Sequence, residues 1–221
     1  MVAIGQNVGR KTAAAITDMN EPLGSAIGNA LEVEEAILTL HGKIKGSLRE
    51  LSLTLGAYIL KMAGKAADLE AARDTLSGLL DSGAALEKFA QMIDAQGGNP
   101  EVINDVKLLP QAAKQQVLES WQDGYVRIED AQALGLAAML LGAGRATKED
   151  KIDLAVGLKI HVRTGEKVHK GQPLLTLYYN DESKAEDALT TARSALQIYP
   201  DPVPARKLIY GIVTAEGREE F

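Results

Sequence analysis

Thr17-Asp18-Met19-Asn20-Glu21-Pro22-Leu23-Gly24-Ser25-Ala26-Ile27-Gly28-Asn29-Ala30-Leu31-Glu32-Val33-Glu34-Glu35-Ala36-Ile37 is the stretch whose reading decides the fold. Ahead of it, Thr12 to Met19 reads as an apolar strand, of the kind covered on both faces. The strand empties into a turn containing Asn20 and Pro22, and Gly24 and Gly28 follow. A helix then runs from Ala30 to Leu40. At about 100° per residue, Val33, Ala36, Ile37 and Leu40 share one face. Glu35 falls on the opposite side, between Leu31 and Leu38. A carboxylate flanked by two leucines either reaches water or is held by a partner. Strand, tight loop and acid-bearing helix is how α/β proteins build sites at the carboxyl ends of strands.

Around this stretch the chain has the composition of an ordinary soluble globular protein. Of its 221 residues, 46% are hydrophobic and 24% charged, and aromatics are scarce at 4%, so Ala, Leu and Gly fill the interior and helices dominate. That length allows one large or two modest domains with a sizeable core. A net charge of −6 argues against a nucleic-acid partner, which requires a basic face. With no cysteine, disulfides, thiol nucleophiles and thiolate metal sites are excluded, and a reducing cytoplasmic location is expected. No apolar run reaches membrane-spanning length, so no membrane partner is expected.

Residues 1–9 read as the end of a helix. Ser47-Leu48-Arg49-Glu50 has the form of a capping box opening a long helix with Leu48, Leu51, Leu55, Ile59 and Met62 on one face. Further helices start near Asp68 (burying Leu69, Ala72, Leu76 and Leu79) and after Gly83 (burying Leu86, Phe89 and Ile93). Gly97-Gly98-Asn99-Pro100 breaks the last of these. The pattern then changes to alternating strands near Val117 and at Tyr125–Ile128, and a domain boundary is expected at about residue 115. A helix at Ala131–Leu141 carries a small-residue stripe of Ala131, Gly135 and Ala138. A half-exposed strand follows at Leu158–Val162, then a strand at Leu174–Tyr178, a helix at Ser183–Ile198, and a last strand at Leu208–Val213 before a charged tail. The predicted fold is mixed α/β to α+β. A helix-rich partial α/β domain (1–115) is followed by a smaller α+β domain (116–221).

Few residues suggest catalysis. His41, His161 and His169 lie in turns or on exposed strand positions, without a nucleophile or zinc spacing. Glu32 and Glu34 read as a solvated acidic face near a helix N-terminus. Gly142-Ala143-Gly144-Arg145, with Lys148 beyond, lacks the spacing of a phosphate loop and follows a helix C-terminus, so a structural turn is expected. Thr164–Leu174 resembles the hammerhead hairpin of biotinyl and lipoyl carrier domains, but no Met-Lys-Met or Asp-Lys-Ala surrounds its lysines. The hairpin is therefore expected to be structural, with Val168, Leu174 and Leu177 turned inward.

The order and identity of residues 17–37, together with Gly142-Ala143-Gly144-Arg145-Ala146-Thr147-Lys148-Glu149-Asp150-Lys151-Ile152-Asp153-Leu154-Ala155-Val156-Gly157 and the hairpin, resemble the pyrimidine-nucleoside phosphorylase family, which includes thymidine phosphorylase. The likeness runs from about Gly9 to Val213 and corresponds to the C-terminal half of such an enzyme. It implies a parent glycosyltransferase in which phosphate attacks C1′ of a pyrimidine nucleoside, giving free base and pentose 1-phosphate. A homodimer is implied as well, along with potassium, for which the carbonyls of Leu23 and Ala26 and the carboxylate of Glu35 would supply only part of the site. The family's phosphate-binding and base-binding groups have no counterpart in these residues. No catalytic or substrate-contacting residue is therefore assigned, and the isolated chain is expected to be inactive. Two other readings are a non-enzymatic subunit of a split enzyme and a relative of anthranilate phosphoribosyltransferase.

Overall fold

In the computed structural model, which describes residues 1–220, the elements in chain order begin with α1 (Val2–Asn7), β1 (Ala14–Thr17), β2 (Ala26–Ile27) and α2 (Asn29–Leu40). Three helices follow, α3 (Ser47–Met62), α4 (Leu69–Asp81) and α5 (Ala84–Ala95), then two 3-10 turns at Pro100–Ile103 and Val106–Leu108. The remainder is β3 (Lys114–Glu119), β4 (Gly124–Ile128), α6 (Ala131–Leu141), β5 (Gly157–Ile160), β6 (Lys167–Val168), β7 (Pro173–Tyr179), α7 (Glu182–Ser194), β8 (Leu196–Tyr199), β9 (Ile209–Thr214) and β10 (Gly217–Glu220). The chain is mixed α/β, and all the strand pairings among the described residues are antiparallel.

Two compact units interleave along the sequence. The first takes residues 1–18, 38–96 and 207 onward; the second takes 19–37 and 97–206. The boundary expected at about residue 115 falls inside β3 and inside the second unit. There β3 is hydrogen-bonded to β7 along its length.

In the first unit β1, β9 and β10 form a three-stranded sheet with β9 in the centre. The expectation that the first strand is covered on both faces is not met: Ile16 is 48% exposed. What reads as a charged tail in sequence is β10, a strand whose backbone pairs with β9 although its side chains face water. α3 and α4 pack together, and Asp68 caps α4 by accepting from the Ala71 N–H at 2.8 Å. The capping box at Ser47 does not form. The helix begins one residue earlier than that motif requires, with Gly46 at the cap, and the Glu50 carboxylate reaches across to Arg73 instead. The predicted apolar face of α3 is also displaced. Leu53 and Ala57 are buried, whereas Leu55 and Ile59 are exposed.

The second unit holds the larger core. One sheet runs β2-β5-β7-β3 and another β6-β4-β8. Strand β4 alternates, with Val126 and Ile128 fully buried and Arg127 outside, while β7 buries Leu174, Leu175 and Leu177 together because it is covered on both faces. α6 and α7 lie against each other through small residues. Ala137 and Ala138 on one helix and Ala185, Ala188 and Ala192 on the other are all buried. The stripe is rotated from the expected one, since Gly135 faces water. Asp130 and Asp181 cap the two helices, accepting at 3.0 Å from Ala133 and Ser183. α7 ends at Ser194, short of the predicted Ile198. The alternation of Leu196 and Ile198 inward with Gln197 and Tyr199 outward puts these residues on a strand beside β4. Val168, Leu174 and Leu177 of the hairpin are fully buried, as expected.

Candidate functional site

The second unit places the loop Glu21–Ser25, the short strand β2 and the N-terminal part of α2 against β5 and the turn that follows it. β2 pairs antiparallel with β5, Ala26 opposite Lys159 and Ile27 opposite Leu158. This pairing demands glycine at its end. A Cβ on Gly28, whose φ is +142°, would lie 2.5 Å from the Val156 carbonyl oxygen and 3.0 Å from the Gly157 Cα. The close approach of these two backbones sets where α2 begins.

Each of the three glutamates on α2 has a defined partner. Glu32 Oε1 accepts from the Gly28 N–H at 3.0 Å, so it covers one of the orphan donors at the helix start. Glu34 Oε2 lies 2.8 Å from Lys159 Nζ, and that ammonium sits 5.6 Å from the Tyr178 ring centroid. Glu32 is exposed in the first turn of α2, as a solvated acidic face requires, whereas Glu34 is half-buried against Lys159. Glu35 is buried, and its two oxygens accept from the backbone N–H groups of Ser25 at 2.7 Å and Ala26 at 3.1 Å. Of the alternatives for a carboxylate between two leucines, the structure selects the held one, through charge-assisted bonds to the loop. Gly24 makes this possible. A Cβ there would collide with the Glu35 carboxylate, so only glycine lets it lie over the loop.

The opposite side of the loop is held by a positive group. Arg163, in the turn after β5, donates from Nη1 to the Pro22 carbonyl at 2.5 Å. Its Nη2 donates to the Leu23 carbonyl and to Ser25 Oγ, both at 3.3 Å. Glu21 Oε1 lies 3.8 Å from the guanidinium, and Glu21 Oε2 accepts from the Thr164 N–H at 3.3 Å. The Thr164 hydroxyl in turn accepts from Ile128 N–H at 3.1 Å and ties the turn to the core sheet. The loop is thus clamped twice, its amides by an anion and its carbonyls by a cation.

The Glu35 carboxylate bonds the Ala26 N–H, and Leu23 lies three residues earlier in the same loop. Carbonyl and carboxylate oxygens are of the type a monovalent cation takes. The Leu23 carbonyl, however, already accepts from Arg163. Arg163 and Glu21 are missing from the sequence reading. Arg163 alternates with buried Ile160 and Val162, which marks it as outward, and no spacing rule links residue 163 to residues 21–25. Among the described residues no cluster of three or more His, Asp or Glu side chains is placed to hold a metal.

Beyond the loop, a groove of about 390 Å³ is lined by Leu31, Glu34, Lys159, Tyr178 and residues 110–115. His161 hydrogen-bonds Thr176 through Nε2 at 2.8 Å; burial, and then the nearby Lys159, push its pKa below 6.5. His169 sits beside Asp123 at 3.6 Å, both exposed. The turn after α6 is structural. Gly142 adopts φ +110° and the Ala143 carbonyl accepts from Asn29 Nδ2 at 2.9 Å.

Comparison with known proteins gives two family matches. Residues 125–199 match the pyrimidine nucleoside phosphorylase C-terminal domain, and residues 1–86 match the a/b domain of a glycosyl transferase family. The chain is 48% identical over 214 residues to a pyrimidine-nucleoside phosphorylase of Bacillus subtilis (strain 168), covering 97% of this chain and 49% of that protein. A protein of the same description from Geobacillus stearothermophilus is 49% identical over 95% of this chain and 48% of its own length. One from Staphylococcus aureus (strain bovine RF122 / ET3-1) is 48% identical over 97% of this chain and 49% of its own length. The chain spans about half the length of the curated relatives it matches.

Proposed function

Because the chain belongs to the pyrimidine-nucleoside phosphorylase family, we propose that it forms part of an enzyme that cleaves pyrimidine nucleosides with phosphate. In that reaction a phosphate oxygen attacks C1′, the bond from C1′ to the base nitrogen breaks, and pentose 1-phosphate and free base leave. The reading rests on near-50% identity maintained across almost the whole chain. The part played by the described residues is scaffold and loop positioning. Glu35 and Arg163 fix the loop Glu21–Ala26 from its two sides, and Glu32 with Gly28 fixes where α2 starts. Such preorganisation is where an enzyme of this kind gains most, because the reaction depends on holding phosphate, pentose and base in one geometry.

Potassium is the cation the family resemblance implies, with Leu23, Ala26 and Glu35 as its oxygen donors. When bound it would add fixed positive charge beside the loop. A homodimer and a cytoplasmic location belong to the same reading. The absence of cysteine fits a reducing compartment, and no helix among the described residues is long and apolar enough to cross a membrane.

Assay of the purified 221-residue chain with uridine or thymidine and phosphate tests the proposal. The chain alone should give no detectable free base, because phosphate-binding and base-binding groups are not found among its residues. Mixing it with a polypeptide covering the remaining half of the Bacillus subtilis relative should restore turnover. Robust phosphorolysis by the chain alone would contradict this division of labour.

A further inference from the structure

The groove of about 390 Å³ in the second unit falls in the size range of small-molecule sites, and internal hydrogen bonds hold its walls. On one side Gln111 Nε2 donates to the Leu109 carbonyl at 3.0 Å, and the Ala113 N–H donates to Asn180 Oδ1 at 2.8 Å. Lys114 then begins the pairing of β3 with β7. On the other side Lys159 Nζ donates to Glu34 Oε2 at 2.8 Å and lies 5.6 Å from the Tyr178 ring centroid. Leu31 and Ala155, both buried, add apolar lining.

Charge decides what this groove accepts. Its charged lining residues are all paired, Glu34 with Lys159, and Lys114 with Glu182, which is not among the lining residues. An added anion meets the charge of Glu34, and an added cation meets that of Lys159. These two side chains are only 24% and 29% exposed, so water screens either repulsion incompletely. A neutral ligand escapes both. The pair nevertheless keeps hydrogen-bonding capacity. An ammonium has three donors and a carboxylate about four lone-pair sites, and the pair spends one of each on itself.

We propose that the groove is a site for a neutral ligand with a cis-amide edge, a lactam ring above all, whose N–H donates to the Glu34 carboxylate and whose carbonyl accepts from the Lys159 ammonium. The two protein groups stand 2.8 Å apart, so adjacent N–H and C=O groups on one edge of a ring can meet one each. An open-chain secondary amide is trans and turns its N–H and C=O to opposite sides, which excludes a peptide backbone. A lactam ring locks the two side by side. The site uses no group required by the reaction proposed above and does not depend on it.

The test titrates the full 221-residue chain with 2-pyridone, the simplest planar lactam, and follows the amide resonances of residues 112–115, 159 and 178 by NMR. These should move together with a midpoint of about 1–10 mM, the weak binding expected of so small a ligand. N-methyl-2-pyridone keeps the ring and carbonyl but lacks the N–H, and should bind at least about tenfold more weakly. A carboxylate derivative of 2-pyridone should also bind the wild type more weakly than 2-pyridone itself. In Glu34→Gln, where Lys159 is no longer neutralised, that order should reverse. A purely structural role for the ion pair would instead weaken both compounds alike. Uracil and inosine carry the same edge on one ring and on two, and the tighter of them identifies the ligand's size. Equal midpoints for 2-pyridone and its N-methyl derivative would overturn the proposal. So would wild-type preference for the carboxylate, or no movement of these amides up to about 100 mM 2-pyridone. The three compounds on the wild type decide the question even if Glu34→Gln fails to fold.

Discussion

The two units bury their apolar side chains to different degrees. In the second unit a contiguous cluster runs from β4 and β5 through β7 and β8 to both helices, and includes Val126, Leu134, Leu158, Leu174, Leu177 and Ala188, all with no exposed surface. The first unit buries Leu53, Ala57, Ala72 and Ile212, but leaves Ile4, Val8, Ile16, Leu55 and Ile59 open to solvent. Ile59 is 61% exposed on a helix whose sequence places it in an apolar stripe. The second unit leaves Leu108, Val117, Leu136 and Leu154 exposed too, so the difference between the units lies in the size of the buried core and not in the exposed residues. The lesson is that periodicity tells which side chains can share a face and not which face the fold buries: α3 buries Leu53 and Ala57 instead of Leu55 and Ile59.

Truncating side chains on each side of this divide should break the symmetry between them most strongly. Leu158→Ala removes a fully buried side chain from the second core, and should lower stability by about 2–5 kcal/mol in urea denaturation. Ile59→Ala in the first unit, though drawn from an equally apolar sequence, should cost less than about 0.5 kcal/mol. Comparable losses would mean that the first unit is as closed as the second.

Glycines sharpen the contrast. Gly24→Ala pushes the Glu35 carboxylate off the Ser25 and Ala26 amides, leaving partly or wholly buried donors unsatisfied at about 1–3 kcal/mol. Combining it with Glu35→Ala should cost little more than either change alone, as a double-mutant cycle would reveal, because both remove the same contact. Gly78, inside α4 of the first unit, has open space around its missing Cβ. Gly78→Ala should therefore stabilise by about 0.5–1 kcal/mol, since it raises helix propensity without a clash. A stabilising Gly24→Ala would refute the carboxylate-over-glycine geometry.

The smallest effect is one of pH, and it is confined to the second unit. Burial and Lys159 lower the pKa of His161 from its ordinary 6.5. The unfolded chain then binds a proton at this residue more readily than the folded chain. Its contribution is thus flat above about 6.5, and stability falls as pH drops from there toward the lower folded value. His161→Asn should remove that part of the slope, and an NMR titration of the ring should show a midpoint below 6.5. A midpoint at or above 6.5 would show that the Thr176 contact stabilises the charged ring instead.

Much of the second unit was legible in sequence because its signals are local. Gly142 closes α6, the alternation in β4 separates Val126 and Ile128 from Arg127, and the hairpin turns Val168, Leu174 and Leu177 inward. Leu23, Ala26 and Glu35 entered as a group only through the family resemblance, not through a local signal. What escaped was decided by distant partners. Glu50 has the spacing of a capping box yet goes to Arg73, and Arg163 has the spacing of a solvent-facing residue yet reaches back to residues 21–25. Residues 217–220 read as a charged tail because nothing in their composition announces the edge of β9 that pairs with them. Leu196–Tyr199 lost its helical reading to β4, where the two inward side chains find a core that another turn of α7 would not offer.

Native-state hydrogen exchange on the intact chain tests the contrast between the units most directly, since it reads local stability residue by residue. Amides of β4, β5, β7, β8 and α6 should exchange last and together, at the limit set by global unfolding. Those of α3, α4 and α5 should exchange at least about tenfold faster, through openings that leave the second core intact. Uniform protection across both units would contradict the account, because it would mean that the first unit buries enough apolar surface to share a single cooperative core.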